Sequence, residues 1–116
     1  GIPGAEERGI IAYDVLVNQC NMSVVDFMKL VSENPAKLYG MYPKKGTLSI
    51  GSDGDITIVD KRIEHVLSKE SAHTKADYIP YEGISVTGKV RDVILRGHHV
   101  VQDGSLLESY LGECIP

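Results

Sequence analysis

Four histidines, two cysteines and 16 acidic side chains are the groups in this 116-residue chain with the means to do chemistry. His98 and His99 are adjacent, and such a pair invites a metal reading. Geometry argues against it. The segment around them is β-rich, successive strand residues point to opposite faces, and no Cys, Asp or Glu constellation accompanies the pair at metal-ligand spacing. His65 and His73 stand alone and carry no motif. Cys20 and Cys114 lie at opposite ends with no C-x-x-C spacing, so no disulfide framework is expected, and Cys20 falls on a helical face that suits a small buried hydrophobe. No G-x-S-x-G, P-loop, G-x-G-x-x-G or H-x-H occurs. Within residues 1–116, then, no catalytic residue and no metal ligand is expected.

What remains sits in two loops. Pro3-Gly4 is a turn dipeptide that lets backbone approach another group closely, and it is followed by Glu6 and Arg8. Charge pairs at helix starts usually fix structure, so a salt bridge that holds the loop is the expectation for Glu6 and Arg8, ahead of active-site duty. Tyr78 and Tyr81 flank Pro80. Such a pair can wall a pocket, but it more often packs a loop on a sheet with each hydroxyl reaching a polar partner, and packing is the expectation here.

The elements that would position these loops can be read from periodicity. Ile10, Tyr13, Val17 and Cys20 recur at helical spacing and predict a helix over 6–19, although Gly9 weakens its start. Ser23 followed by Asp26 has the form of a cap, and Val24, Phe27, Met28 and Val31 predict one apolar face on a helix over 24–33. Asn34 can cap a further short helix over 35–39, with Pro35 at its first position and Gly40 ending it. The chain then changes character. Strands are predicted near 47–50, 55–60, 84–87, 90–95 and 98–102, with a brief extra piece near 64–68 and Gly88, Arg96-Gly97 and Asp103-Gly104 as punctuation. Thr47–Ile50 and Asp55–Asp60 read as a hairpin, Lys44-Lys45 as a solvated turn, and 69–83 as a long irregular loop of the kind that serves function or an interface.

Composition sets limits. A chain of 116 residues supports one modest core, and a net charge of -4 without a basic block argues against nucleic acid and against an anionic membrane surface. No apolar run approaches the roughly 18 residues a spanning helix needs, and no signal-like start is present, so a cytoplasmic protein is expected.

Four runs carry a resemblance. N-P-A-K-L-Y-G (34–40) with K-G-T-L-S-I-G-S-D-G-D (45–55) resembles the segment that follows the barrel of cyclic amidohydrolases, with Gly54 where that pattern usually has Ala. P-G-A-E-E-R (3–8) resembles the P-G-φ-E-x-R segment of hydantoinases and dihydropyrimidinases, D-Y-I-P-Y-E-G (77–83) resembles their D-Y-x-P-Y-E-G, and V-T-G-K-V-R-D-V-I-L-R-G-H-H-V-V-Q-D-G (86–104) resembles their last strands.

The resemblance implies an α/β parent in which residues 1–46 are helices closing a (β/α)8 barrel and residues 47–116 are short strands of a partial β-sandwich with the loop 69–83 and a C-terminal tail. Gly1, Ile2, Pro3 and Gly4 would form the rim of the substrate loop, and Glu6 and Arg8 would be structural groups near it. The family's metal-binding aspartate and substrate-contacting asparagine would lie before residue 1. The parent would hold a binuclear zinc centre bridged by a carboxylated lysine and open the ring amide of hydantoins or dihydropyrimidines by attack of a metal-activated hydroxide. This chain would be its C-terminal portion, binding no zinc and inactive alone, with the rest of the parent, a small cyclic amide and further copies in a homo-oligomer, as in a homotetramer, for partners. The alternative is an assembly module of a non-catalytic dihydropyrimidinase-like signalling protein, which keeps these motifs and loses the metal ligands.

Overall fold

The computed structural model describes residues 1–107 and 111–115. Helical segments come first: α1 (Arg8–Tyr13), a π-helical turn π1 (Asp14–Gln19), α2 (Val24–Met28), a second π-helical stretch π2 (Lys29–Glu33) and α3 (Asn34–Leu38). Strands follow: β1 (Ile56–Val66), β2 (Ser85–Leu95), β3 (His98–Gln102) and β4 (Ser105–Leu106), in the order β1-β2-β3-β4 in one sheet. Two compact units are distinguished, Gly1–Ser23 with Asp60–Lys89, and Val24–Val59 with Val90–Pro116.

In the first unit, helical hydrogen bonding starts when the Arg8 amide donates to the Gly4 carbonyl at 3.0 Å, so the Pro3-Gly4 turn feeds straight into α1. Gly9 does not interrupt it. Ile10 and Tyr13, one turn apart, are buried with Leu67, Ile79 and Val86, which makes this unit's core from one helix face and the strand side that meets it. Asn21 takes φ 57° and ends the helix, and the amides of Cys20 and Met22 reach back to Val15 and Leu16. Cys20 is exposed, contrary to the buried role read from its spacing, because the π turn rotates it off the Ile10 and Tyr13 face.

In the second unit, residues 24–38 form one continuous helical run rather than two helices. Asn34 is not a cap: its backbone is helical, at φ −64° and ψ −44°, and its amide donates to the Lys29 carbonyl five residues back. That wider turn is what lets Pro35 follow inside a helix, since a proline in a regular α-helix would press on the carbonyl four residues before it. Gly40, at φ 70°, ends the run as expected. Phe27 and Ala36 are buried, but Met28 and Val31, expected to share the core face, are 49% and 43% exposed. Thr47–Ile50 forms no strand. Leu48 and Ile50 are exposed, Thr47 and Ser49 bond each other, and the Ser52 amide closes a turn on the Ser49 carbonyl, so alternation without a neighbouring strand to pair with resolves into turns. Lys45 is not a solvated turn residue either. It is partly buried and pairs with Asp53 at 2.9 Å and with Asp55.

The sheet is simpler and longer-stranded than read. Each of β1 and β2 is one strand of 11 residues, where the sequence suggested several short pieces. The Leu67 amide on the Ile84 carbonyl and the Gly97 amide on the Gly54 carbonyl tie opposite ends of the pair, so β1 and β2 run antiparallel. β2 and β3 pair antiparallel with a bulge between Val93 and Ile94, and β3 pairs antiparallel with the unforeseen β4. Arg96-Gly97 and Asp103-Gly104 have positive φ at both positions, the signature of two-residue hairpin turns whose twist suits the flanking strands.

Candidate functional site

A recess lies at the amino-terminal loop. It measures about 450 Å³ and is lined by Ile2, Pro3, Gly4, Ala5, Arg8 and Tyr81. Gly4 permits a close approach: a Cβ there would stand 3.1 Å from Tyr81 Cε2 and 3.4 Å from its hydroxyl oxygen, so the ring would have to shift. Tyr81 therefore does more than the packing role expected of it, since its ring lies on the Gly4 backbone and also walls the recess. The lining is mostly apolar, with one guanidinium and one phenol, a surface suited to a compact, largely uncharged ligand oriented by few polar contacts.

Glu6 does not pair with Arg8. Its two carboxylate oxygens are taken by His73, Oε2 accepting from the His73 backbone N–H at 2.8 Å and Oε1 lying 2.7 Å from His73 Nδ1. Arg8 is left facing the recess without an ion-pair partner among the described residues. The physical reason is direction. Glu6 stands before the first residue of α1 and Arg8 within its first turn, so the two side chains do not share a face. Further contacts hold the loop 69–83 in place. Glu82 Oε2 accepts from the Lys69 amide at 2.6 Å, the Gly83 amide donates to the Leu67 carbonyl, and the Tyr78 hydroxyl reaches the Gly1 carbonyl at 3.5 Å. His73 was invisible as a site residue in the sequence because its partner is 67 residues away and no local pattern reports such a contact.

Asp14 is the polar centre of the same unit. Buried at the start of π1, it accepts at Oδ1 from Asn18 (2.8 Å) and from the Thr87 amide (3.1 Å), and at Oδ2 from Gln19 (3.0 Å). The π turn explains how donors four and five residues ahead both reach one carboxylate. The Asn18 donor lowers the Asp14 pKa most; burial opposes it, and the Thr87 and Gln19 donors complete a net lowering. Glu7 is buried as well, and its Oε1 has no hydrogen-bond partner among the described residues.

The pattern of the amidohydrolase family matches residues 5–100. The chain belongs to the amidohydrolase family. It is 42% identical over 113 residues to a D-hydantoinase of Ralstonia pickettii, an alignment that covers 97% of this chain and 24% of that protein. Among solved structures, the D-hydantoinase (dihydropyrimidinase) from Thermus sp. superposes with a TM-score of 0.90 at 32% identity over 94% of this chain and 24% of its own. The dihydropyrimidinase from Brevibacillus agri gives 0.85 at 37% identity over 88% of this chain and 22% of its own. The chain thus spans about a quarter of the length of these relatives. The resemblance drawn from its four motif runs is to the same enzymes.

Among the described residues, no three His, Cys, Asp or Glu side chains come together in a way that could hold a metal ion. His98 and His99 diverge as strand neighbours: His98 pairs with Leu95, and His99 Nε2 lies 3.3 Å from Asp92 Oδ1. Asp92 is itself saturated by Arg91 Nε at 2.6 Å and the Asp103 amide at 3.1 Å, which serve the β2–β3–β4 turns. Glu6 with His73 offers only two groups, already bonded to each other. The described residues do not fit a binuclear zinc centre. No helix among the described residues is long and apolar enough to cross a membrane.

Proposed function

We propose that this chain works as part of a cyclic amidohydrolase of the hydantoinase and dihydropyrimidinase type, with residues 1–46 among the helices closing a (β/α)8 barrel and residues 47–116 in its β-sandwich domain. The reaction is hydrolysis of a ring amide: water adds to the carbonyl, the ring C–N bond breaks, and a carboxylate and an N–H are formed. The observation that carries this reading is the 42% identity to a D-hydantoinase along 97% of the chain. The recess supports it, because a five- or six-membered ring with a modest substituent is a largely uncharged ligand of the kind its lining suits.

In this reading Gly1, Ile2, Pro3 and Gly4 form the rim against which the ring lies. Glu6 and Arg8 flank it, Glu6 as a tether and Arg8 as a group at the recess. Zinc in the parent would be held by residues outside 1–116 and would supply an activated water. This chain supplies none of that chemistry; its part is to bind, orient and exclude solvent. The rest of the parent is its first partner, a homo-oligomer, on the resemblance a homotetramer, its assembly, and the cytoplasm its compartment.

The test is turnover by the purified, zinc-loaded parent protein with hydantoin and with dihydrouracil, followed as loss of ring absorbance. Ring opening of at least one is expected. Stability of both rings in the presence of the folded, metal-loaded parent would remove the proposal.

A further inference from the structure

Two loops 67 residues apart meet at the recess, and the manner of their meeting is specific. Glu6 engages both the backbone and the ring of His73, at 2.8 and 2.7 Å. On the same loop as His73, the Tyr81 ring rests on Gly4 closer than a Cβ would comfortably allow, and among the described residues it is the only side chain from outside residues 1–8 in the lining of the recess. From this geometry we infer that Tyr81 is a specificity-determining residue, the wall that contacts the substituent on the substrate ring, and that Glu6 with His73 is the positioning pair that holds this wall at its distance. The inference rests on the function proposed above and names which part of the substrate this chain reads.

The loop 69–83 contains no strand or helix, so its place depends on point contacts rather than on a ladder. A carboxylate that accepts from a backbone amide and a ring nitrogen of one residue fixes both the position and the orientation of that residue, which a single bond between long side chains does not. Tyr81 lies eight positions further along, beyond buried Ile79 and before the Glu82 and Gly83 ties, so the loop is pinned on both sides of its recess-facing ring. An aromatic face against small apolar residues then discriminates by the size and apolarity of what enters between them, and leaves chemistry at the ring carbonyl to others.

The experiment uses the full-length, zinc-loaded parent with two substrates, unsubstituted hydantoin and a hydantoin bearing an aromatic substituent at carbon 5. Tyr81→Ala is expected to raise the ratio of KM for the substituted ring to KM for the unsubstituted ring about tenfold. Tyr81→Phe keeps the wall and is expected to restore the parent ratio. His73→Ala and Glu6→Gln are expected to move the ratio in the same direction by less, and to speed amide hydrogen exchange across 69–83. An unchanged ratio in Tyr81→Ala with activity retained would overturn the inference, as would equal losses for both substrates at unchanged thermal stability. Absence of turnover by the unmutated parent would instead strike the proposed function itself, so the two failures are distinguishable.

Discussion

At the scale of single residues, the fold of the first unit turns on Asp14. Three donors from a π turn and from β2 converge on it, and a buried carboxylate with that many bonds is worth far more than its individual contacts suggest once any is removed. Asp14→Ala is expected to destabilise the parent by roughly 2 kcal/mol, read from urea unfolding. The pH dependence follows from the direction of its shift. Because Asn18, Thr87 and Gln19 outweigh burial and lower its pKa in the folded state, its contribution is fully present above the ordinary aspartate value of about 3.9 and is lost as pH falls through the lowered one. Asp14→Asn should flatten that acid limb; an acid melt as steep as that of the unmutated parent would contradict the assignment. Neither Asp14 nor His73 was legible as an anchor in the sequence. His73 is anchored by a partner 67 residues away, and Asp14 by one 73 residues away together with two donors that only a π turn brings round, and hydrophobic periodicity carries no trace of either. Glu6, Arg8 and the Pro3-Gly4 turn were legible, but as a local salt bridge; the structure replaces Arg8 with His73 as the partner of Glu6.

At the scale of elements, two glycines set how closely a helix can approach what packs on it, a strand in one case and a turn in the other. Gly88, at φ 121° inside β2, faces α1: a Cβ there would meet Tyr13 Cδ1 at 3.1 Å and Ile10 Cδ1 at 3.2 Å. The sequence suggested a break at Gly88, and instead the strand runs through it, because the missing side chain is needed for packing rather than for a turn. Gly46, at φ 84°, would place a Cβ 2.6 Å from that of Ala36. Alanine at either site combines backbone strain with overpacking, and each is expected to cost about 1–3 kcal/mol in denaturant unfolding of the parent, with Gly46→Ala the harder to relieve because its Cβ would also meet Ser32 and Glu33 backbone atoms at 3.2 and 3.3 Å. A loss of only a few tenths at both would mean these contacts are slack. The turns and β3 were read well, since Arg-Gly and Asp-Gly between β-rich runs are strong local signals. The helix through Asn34 and the vanished strand at 47–50 were not, because a π turn and a missing pairing partner are settled by surroundings rather than by local sequence.

At the scale of the whole molecule, the chain leaves apolar surface to be explained. Val24, Val25, Met28, Leu30 and Val31 are all exposed on one helical run, as are Leu38 and Tyr39 at its end. That density exceeds what scattered surface hydrophobes account for and fits a face that, in the function proposed above, the rest of the parent would cover. The isolated 116-residue chain is accordingly expected to self-associate at micromolar concentration in sedimentation, and a well-behaved monomer would show the face to be tolerated in water. Dialysed against zinc, the isolated chain is expected to retain no stoichiometric metal held by its described residues, given that no three ligating groups converge there. The central claim, that this amidohydrolase segment serves the hydrolytic opening of a cyclic amide, is tested most directly by running the zinc-loaded parent on hydantoin and dihydrouracil in oxygen-18 water and weighing the products. One oxygen-18 atom in the newly formed carboxylate of a ring-opened product is the expected result. Intact rings, or a product whose carboxylate carries no label from water, would contradict it.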